Sequence, residues 1–222
     1  MPRTSLQKPV VVSRSIFGRT ILLGVGLLWA GGIFFGARAM LNYETAEASP
    51  GTPSPTWPTK TTIQRTRGKF TLAMFAHPDC PCTRASLTEL EEIGTKLRGS
   101  LNSIVVFSKP GAEEAEARGS WLWRNASSLP GVTVRWDSHA VETERFGARV
   151  SGQALLYDPD GRLVFSGGLT SARGHVGDNR GVDAIFRRVG GDASAPAQFP
   201  VFGCSLHDPD AGALAGDPSW KK

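Results

Sequence analysis

Between Arg19 and Arg38 the chain runs TILLGVGLLWAGGIFFGA, 18 residues without a charge. As an α-helix this run would be about 27 Å long, the thickness of a bilayer's hydrocarbon core, with the flanking arginines able to reach the headgroups. It divides the chain into an anchor and a remainder that must fold by itself. Residues 1–41 carry five basic side chains, Arg3, Lys8, Arg14, Arg19 and Arg38, and no acidic one. With four of these before the apolar run, the positive-inside rule puts the N-terminus in the cytoplasm and residues 39–222 outside, in a periplasm or at the cell exterior. The alternative is a cleaved signal peptide, because AEA at 46–48 resembles a cleavage site. The apolar region is long for that purpose and the site lies well past it. Either reading exports the folded part.

The charge excess belongs to the same end. The whole chain has 25 basic and 20 acidic residues, for a net charge of +5. Removing the five basic residues of the N-terminus leaves 20 of each sign in residues 42–222. The exported part is therefore neutral, with no basic stripe for a phosphate backbone, so nucleic acid is excluded as a partner. No GxGxxG opens a helix after a strand, so no dinucleotide site is implied. Prolines at 50, 53, 55 and 58 mark residues 42–60 as an extended tether. The expected organisation is a cytoplasmic basic segment at 1–19, an anchor at 20–41, the Pro-rich linker at 42–60, a folded domain at 61–206 and a tail at 207–222.

From residue 61 the pattern alternates strand and helix. FTLAMFA (70–76) is a short apolar run suited to a strand buried on both faces. Leu87, Leu90, Ile93 and Leu97 recur at helical spacing within 83–99. A strand is expected at 103–108, a helix over 112–129, a strand at 132–137 and a short helix at 140–147. Strands at 153–158 and 163–168 flank DPDG (158–161), a hairpin turn, and a helix at 183–190 closes the order. This β-α-β-α-β-α-β-β-α order predicts an α/β fold, a mixed sheet covered on both faces by helices. Trp121, Trp123 and Trp136 are expected to line the core or a groove.

HPDCPCTRAS (77–86) sits between the first strand and the first helix of that order. Three cysteines in an exported domain meet oxidising conditions, and an odd count leaves at least one unpaired or intermolecular. Pro81 suits the first helical position, which makes Cys80 the N-cap and puts Cys82 in the first turn. Free N–H groups and the positive end of the helix dipole stabilise a thiolate there. A disulfide across one intervening residue is tight, so a Cys80–Cys82 bond would be labile. The structural alternative is two buried thiols acting as small apolar side chains. Cys204 can resolve a mixed disulfide, complete a metal site or pair structurally with Cys80 or Cys82. His77 stands three residues before Cys80. TSARGHVGDNRG (170–181) gathers Arg173, His175 and Asp178. In the plainer reading of that loop, Asp178 or Asn179 caps the last helix and His175 is solvated.

The order of elements and the cysteine pair after the first strand resemble the thioredoxin-like superfamily. RFGARVSGQALLYDPDGRLVFSGG (145–168) is similar to the family's approach to its last hairpin. The resemblance covers roughly residues 65–190. With the anchor and tether, it points to membrane-tethered, outward-facing members such as the RedB-type group. Two departures stand out: Cys80-Pro81-Cys82 replaces Cys-x-x-Cys, and Ser151-Gly152 stands where the family has a cis-proline. The resemblance implies that the 170–181 loop rises beside the cysteines, which gives His77, Pro81, His175 and Asp178 supporting roles. It implies thiol–disulfide exchange with a partner protein: Cys80 attacks as thiolate, and Cys82 or Cys204 resolves, without a cofactor. Because the cis-proline shields such cysteines from metals, its replacement also implies a rival function. In that rival, Cys80, Cys82 and His175 bind Cu(I) or, less fittingly, Zn(II). A third implied function is a non-catalytic scaffold for a membrane partner.

Overall fold

The structure, a computed structural model, describes residues 13–207. Most of the expected basic segment (1–12) and tail (208–222) lies outside the described residues. The chain divides into two compact units, Met1–Tyr43 and Glu44–Lys222. In the first, helix α1 spans Ser13–Glu44. Its apolar stretch Gly18–Glu44, 27 residues, is long and apolar enough to cross a membrane.

The second unit contains β1 (Phe70–Ala76), α2 (Cys82–Lys96), β2 (Leu101–Phe107), α3 (Glu114–Gly119), α4 (Trp121–Ser128), β3 (Val132–Trp136), α5 (Val141–Phe146), β4 (Gln153–Tyr157), β5 (Leu163–Gly168) and α6 (Arg180–Val189). The five strands form one mixed sheet in the order β3-β2-β1-β4-β5. β1 and β3 flank β2 in parallel, while β4 runs antiparallel to both β1 and β5. Side chains alternate between the faces of a strand. Leu72, Met74 and Ala76 accordingly join a core with Leu90 of α2, Ala126 of α4 and Ile185 of α6. Ala73 and Phe75 face the other way, into a core with Phe146, Tyr157, Ile63 and Leu206. β1 is central and buried on both faces, which is why its sequence is apolar at every position but Thr71.

Three local differences from the expected elements have clear causes. The helix expected over 112–129 breaks at Ser120, whose backbone is extended and whose hydroxyl accepts the Trp123 amide at 3.1 Å, capping α4. α6 begins at Arg180 because the Asn179 side chain accepts the Gly181 amide at 2.7 Å. Asn179, not Asp178, is that cap. Residues 42–60 are not a free tether along their length. The Ser54 amide donates to Phe146 O at 3.1 Å, Trp57 N to Gly161 O at 2.7 Å and Leu163 N to Pro55 O at 2.9 Å. The Trp57 ring meets Phe146 and Tyr157 edge-on, with centroids 4.9 and 5.1 Å away. The four prolines keep this segment extended and remove four of its amides, while Ser54 and Trp57 donate theirs to Phe146 and Gly161.

Candidate functional site

The site forms beyond the carboxyl end of β1, where the chain turns through His77–Pro81 into α2. The turn is held from three sides. Thr83 N donates to Cys80 O at 3.0 Å and Cys80 N to His77 O at 3.2 Å. The His77 ring accepts the Asp79 amide at Nδ1, 3.2 Å. His77 is fully buried, so it shapes this turn from inside. α2 is assigned from Cys82, with Pro81 flanking it at φ −63° and ψ −27°. Pro81 thus already has helical backbone, and Cys82 stands at the helix start. No side chain caps this end, which leaves the first-turn amides to other partners.

Cys80 is 0% exposed and Cys82 6%, while Cys204 is half-buried. The sulfurs of Cys80 and Cys204 are 3.0 Å apart, and all three cysteines are free thiols. A disulfide would need about 2.05 Å between sulfurs, so the pair is in contact without being bonded. Cys204 is delivered by a segment that runs back along the turn before β4. The Ser151 amide donates to Cys204 O at 2.8 Å and the Leu206 amide to Arg149 O at 2.9 Å. Val150 and Ser205 form an isolated antiparallel bridge.

Ser151 joins the two sides of the site. Its hydroxyl accepts the His77 amide at 2.9 Å and lies 2.8 Å from the Thr83 hydroxyl. Gly152, in the left-handed region at φ +89°, donates its amide to Phe75 O at 2.8 Å. A Cβ there would stand 2.9 Å from Ser86 Oγ of α2. The Ser151-Gly152 pair that replaces the family's proline therefore lets the turn press against the helix.

The thiols are electrostatically unequal. Cys80 is held far below the ordinary thiol range, first by the Cys204 thiol and then by the Cys82 thiol, against the opposing effect of burial. Cys204 is pushed up, chiefly by Cys80 and then by Cys82. For Cys82 the contact with Cys204 pulls downward, but Cys80 and burial outweigh it and the thiol rises. Negative charge thus settles on Cys80, and the two neighbours keep their protons to donate to it.

Of the 170–181 loop, Arg173 is the member brought to the site. It acts electrostatically on Cys82, and its Nη1 donates to Gly203 O at 2.7 Å. His175 and Asp178 are exposed. Buried Glu89 of α2 accepts the Gly177 amide at 2.8 Å and so ties the loop to the helix. Among the described residues no group of three His, Cys, Asp or Glu side chains is arranged to hold a metal ion. The expected set Cys80, Cys82 and His175 is not among such groups, and His175 is exposed. Sequence reasoning missed Ser151, Thr83 and Gly203 as site residues. Only the departure at Ser151-Gly152 hinted at any of them.

Three parallel strands and an antiparallel hairpin in this order, with paired sulfurs where β1 enters α2, define a thioredoxin-like fold. No protein-family model and no curated protein matches the chain. Solved structures with a similar fold include a hypothetical protein of Sinorhizobium meliloti, at TM-score 0.54 and 19% identity, covering 74% of this chain and 97% of that one. An uncharacterized conserved protein of Geobacillus kaustophilus matches at TM-score 0.52 and 16% identity, over 73% and 92% of the two chains. The exposed lipoprotein thioredoxin of Streptococcus pneumoniae matches at TM-score 0.42 and 23% identity, over 56% and 85%.

Proposed function

We propose that this chain is a membrane-anchored protein whose folded unit, outside the cytoplasm, exchanges thiols and disulfides with a partner protein. Cys80 is the nucleophile and Cys204 the resolving thiol. The observation that carries this reading is the 3.0 Å contact between their sulfurs, across 124 residues of sequence. A thiolate at the mouth of a helix beside a second thiol is the arrangement that exchange requires.

In one direction, the Cys80 thiolate attacks a partner disulfide. A bond forms from Cys80 to one partner sulfur, and the other leaves as a thiolate and takes a proton. Cys204 loses its proton and attacks Cys80. The Cys80–Cys204 bond forms, the second partner sulfur leaves, and two electrons have passed to the partner. Run in reverse, the same steps oxidise a partner dithiol. Cys82, beside both sulfurs, keeps its proton and donates to Cys80 while that residue carries charge.

Removing the resolving thiol tests the assignment. The full chain carrying Cys204→Ser, exposed to oxidised glutathione, is expected to accumulate a glutathione adduct on Cys80, whereas the parent chain clears it into an internal disulfide. If both proteins carry the adduct to the same extent, or neither acquires one, Cys204 does not resolve Cys80.

A further inference from the structure

We propose that residues 202–205 form a flap, hinged at both ends, that closes over Cys80 and lifts to admit a partner, with the Cys80–Cys204 disulfide as its latch. The proposal rests on the exchange reading above and adds its gate.

The C-terminal segment divides into two halves held with different strength. The first half adds to the outer edge of β5. Ser166 N donates to Ala197 O at 2.8 Å, Phe199 N to Ser166 O at 3.0 Å and Gly168 N to Pro200 O at 2.9 Å. Phe199 stacks on Phe165 at 5.6 Å, and Ala48 N donates to Val201 O at 2.9 Å. Val201 is 1% exposed. At the far end Leu206 is fully buried in the second core. Between these anchors the attachments thin out. The Cys204 carbonyl accepts from Ser151 N, and the Gly203 carbonyl accepts from Arg173 Nη1. Cys204 and Ser205 are the members of this stretch that reach solvent.

The flap also stands directly against the nucleophile. Exchange requires a partner sulfur in line with Cys80, yet Cys80 has no exposed surface and the side facing Cys204 is filled by the flap's own sulfur. A partner therefore has to take the place of Cys204 before reaction, and Cys204 has to return for the second step. A flap anchored at both ends meets both needs, because it opens without losing its register.

Its closure depends on a residue with no side chain. A Cβ at Gly203 would overlap the Ser151 carbonyl oxygen and stand 3.1 Å from Val150 Cγ1. Backbone cannot yield as a flexible side chain can, so any larger residue at 203 props the flap open and draws Cys204 off Cys80 while all three cysteines remain in the chain.

The test uses the full chain in detergent micelles, fully reduced. Cys80 labelling by iodoacetamide and by a polyethylene-glycol maleimide is mapped by mass spectrometry, with each rate referred to the same reagent on unfolded protein. In the parent chain the large reagent is expected to be at least tenfold more hindered than the small one. Gly203→Ala is expected to remove most of that difference, and Arg173→Gln, which frees the Gly203 carbonyl from outside the flap, to remove part of it. Circular dichroism checks that each variant is folded; if Gly203→Ala is not, Arg173→Gln decides. Equal relative rates for the two reagents in the parent chain overturn the flap, as does a hindrance that folded variants leave unchanged. Because labelling is read on reduced protein, it is separate from the exchange reading. Failure to form the disulfide at any glutathione ratio sinks exchange and the latch while leaving the labelling result standing.

Discussion

At the scale of single residues, the site is a problem of one negative charge among three sulfurs. Burial alone would raise every thiol, and hydrogen bonds from Cys204 and Cys82 reverse that for Cys80. The consequence is kinetic. Because the folded pKa of Cys80 is lowered, its thiolate population is already complete below neutrality, so its reaction with iodoacetamide is expected to be flat from pH 6 to 8. An ordinary thiol, with a pKa of about 8.5, would speed up about tenfold per pH unit there. Cys204→Ala removes the largest of the lowering contacts and should restore a rising profile for Cys80. A flat profile in that variant, or a rising one in the parent chain, would assign the charge elsewhere.

At the scale of elements, the legible features were those with short-range causes. The apolar run of β1 and the spacing in α2 follow from burial on two faces and on one, and both stand within a few residues of where the pattern put them. The break at Ser120 was hidden because Ala115, Gly119, Leu122 and Ala126 keep a helical rhythm across it and only the capping hydroxyl interrupts the backbone. The approach of Cys204 to Cys80 had no local signal at all. It depends on antiparallel pairing of residues 203–206 with 149–151, which no periodicity encodes. Asn179 is the element-scale test. Its side chain accepts the Gly181 and Val182 amides at the start of α6. Asn179→Ala is expected to cost about 1 kcal/mol, the usual worth of an N-cap. Urea unfolding should show a lower midpoint with an unchanged slope.

At the scale of the whole molecule, the sequence divides the chain after the anchor, and the structure moves the start of the folded unit from residue 61 to Glu44. Composition marked residues 42–60 as a tether because proline-rich segments lack periodicity. What composition could not show is that Trp57 finds an aromatic pair to lie against and donates its Nε1 to Ile63 O at 3.2 Å. Trp57→Ala is expected to destabilise the unit by about 2 kcal/mol, in keeping with a half-buried aromatic. Protease cleavage between residues 48 and 60, slow in the parent chain, should become rapid. Equal melting and cleavage in the two proteins would return this segment to the role of a free tether.

The central claim concerns which sulfurs exchange electrons. Equilibrating the full chain across a series of glutathione ratios, quenching with acid and mapping the cysteines by mass spectrometry tests it most directly. The expected result is one reversible internal disulfide, Cys80 to Cys204, with Cys82 recovered as a free thiol. A Cys80–Cys82 bond as the dominant oxidised form, or three free thiols at every ratio, would contradict it.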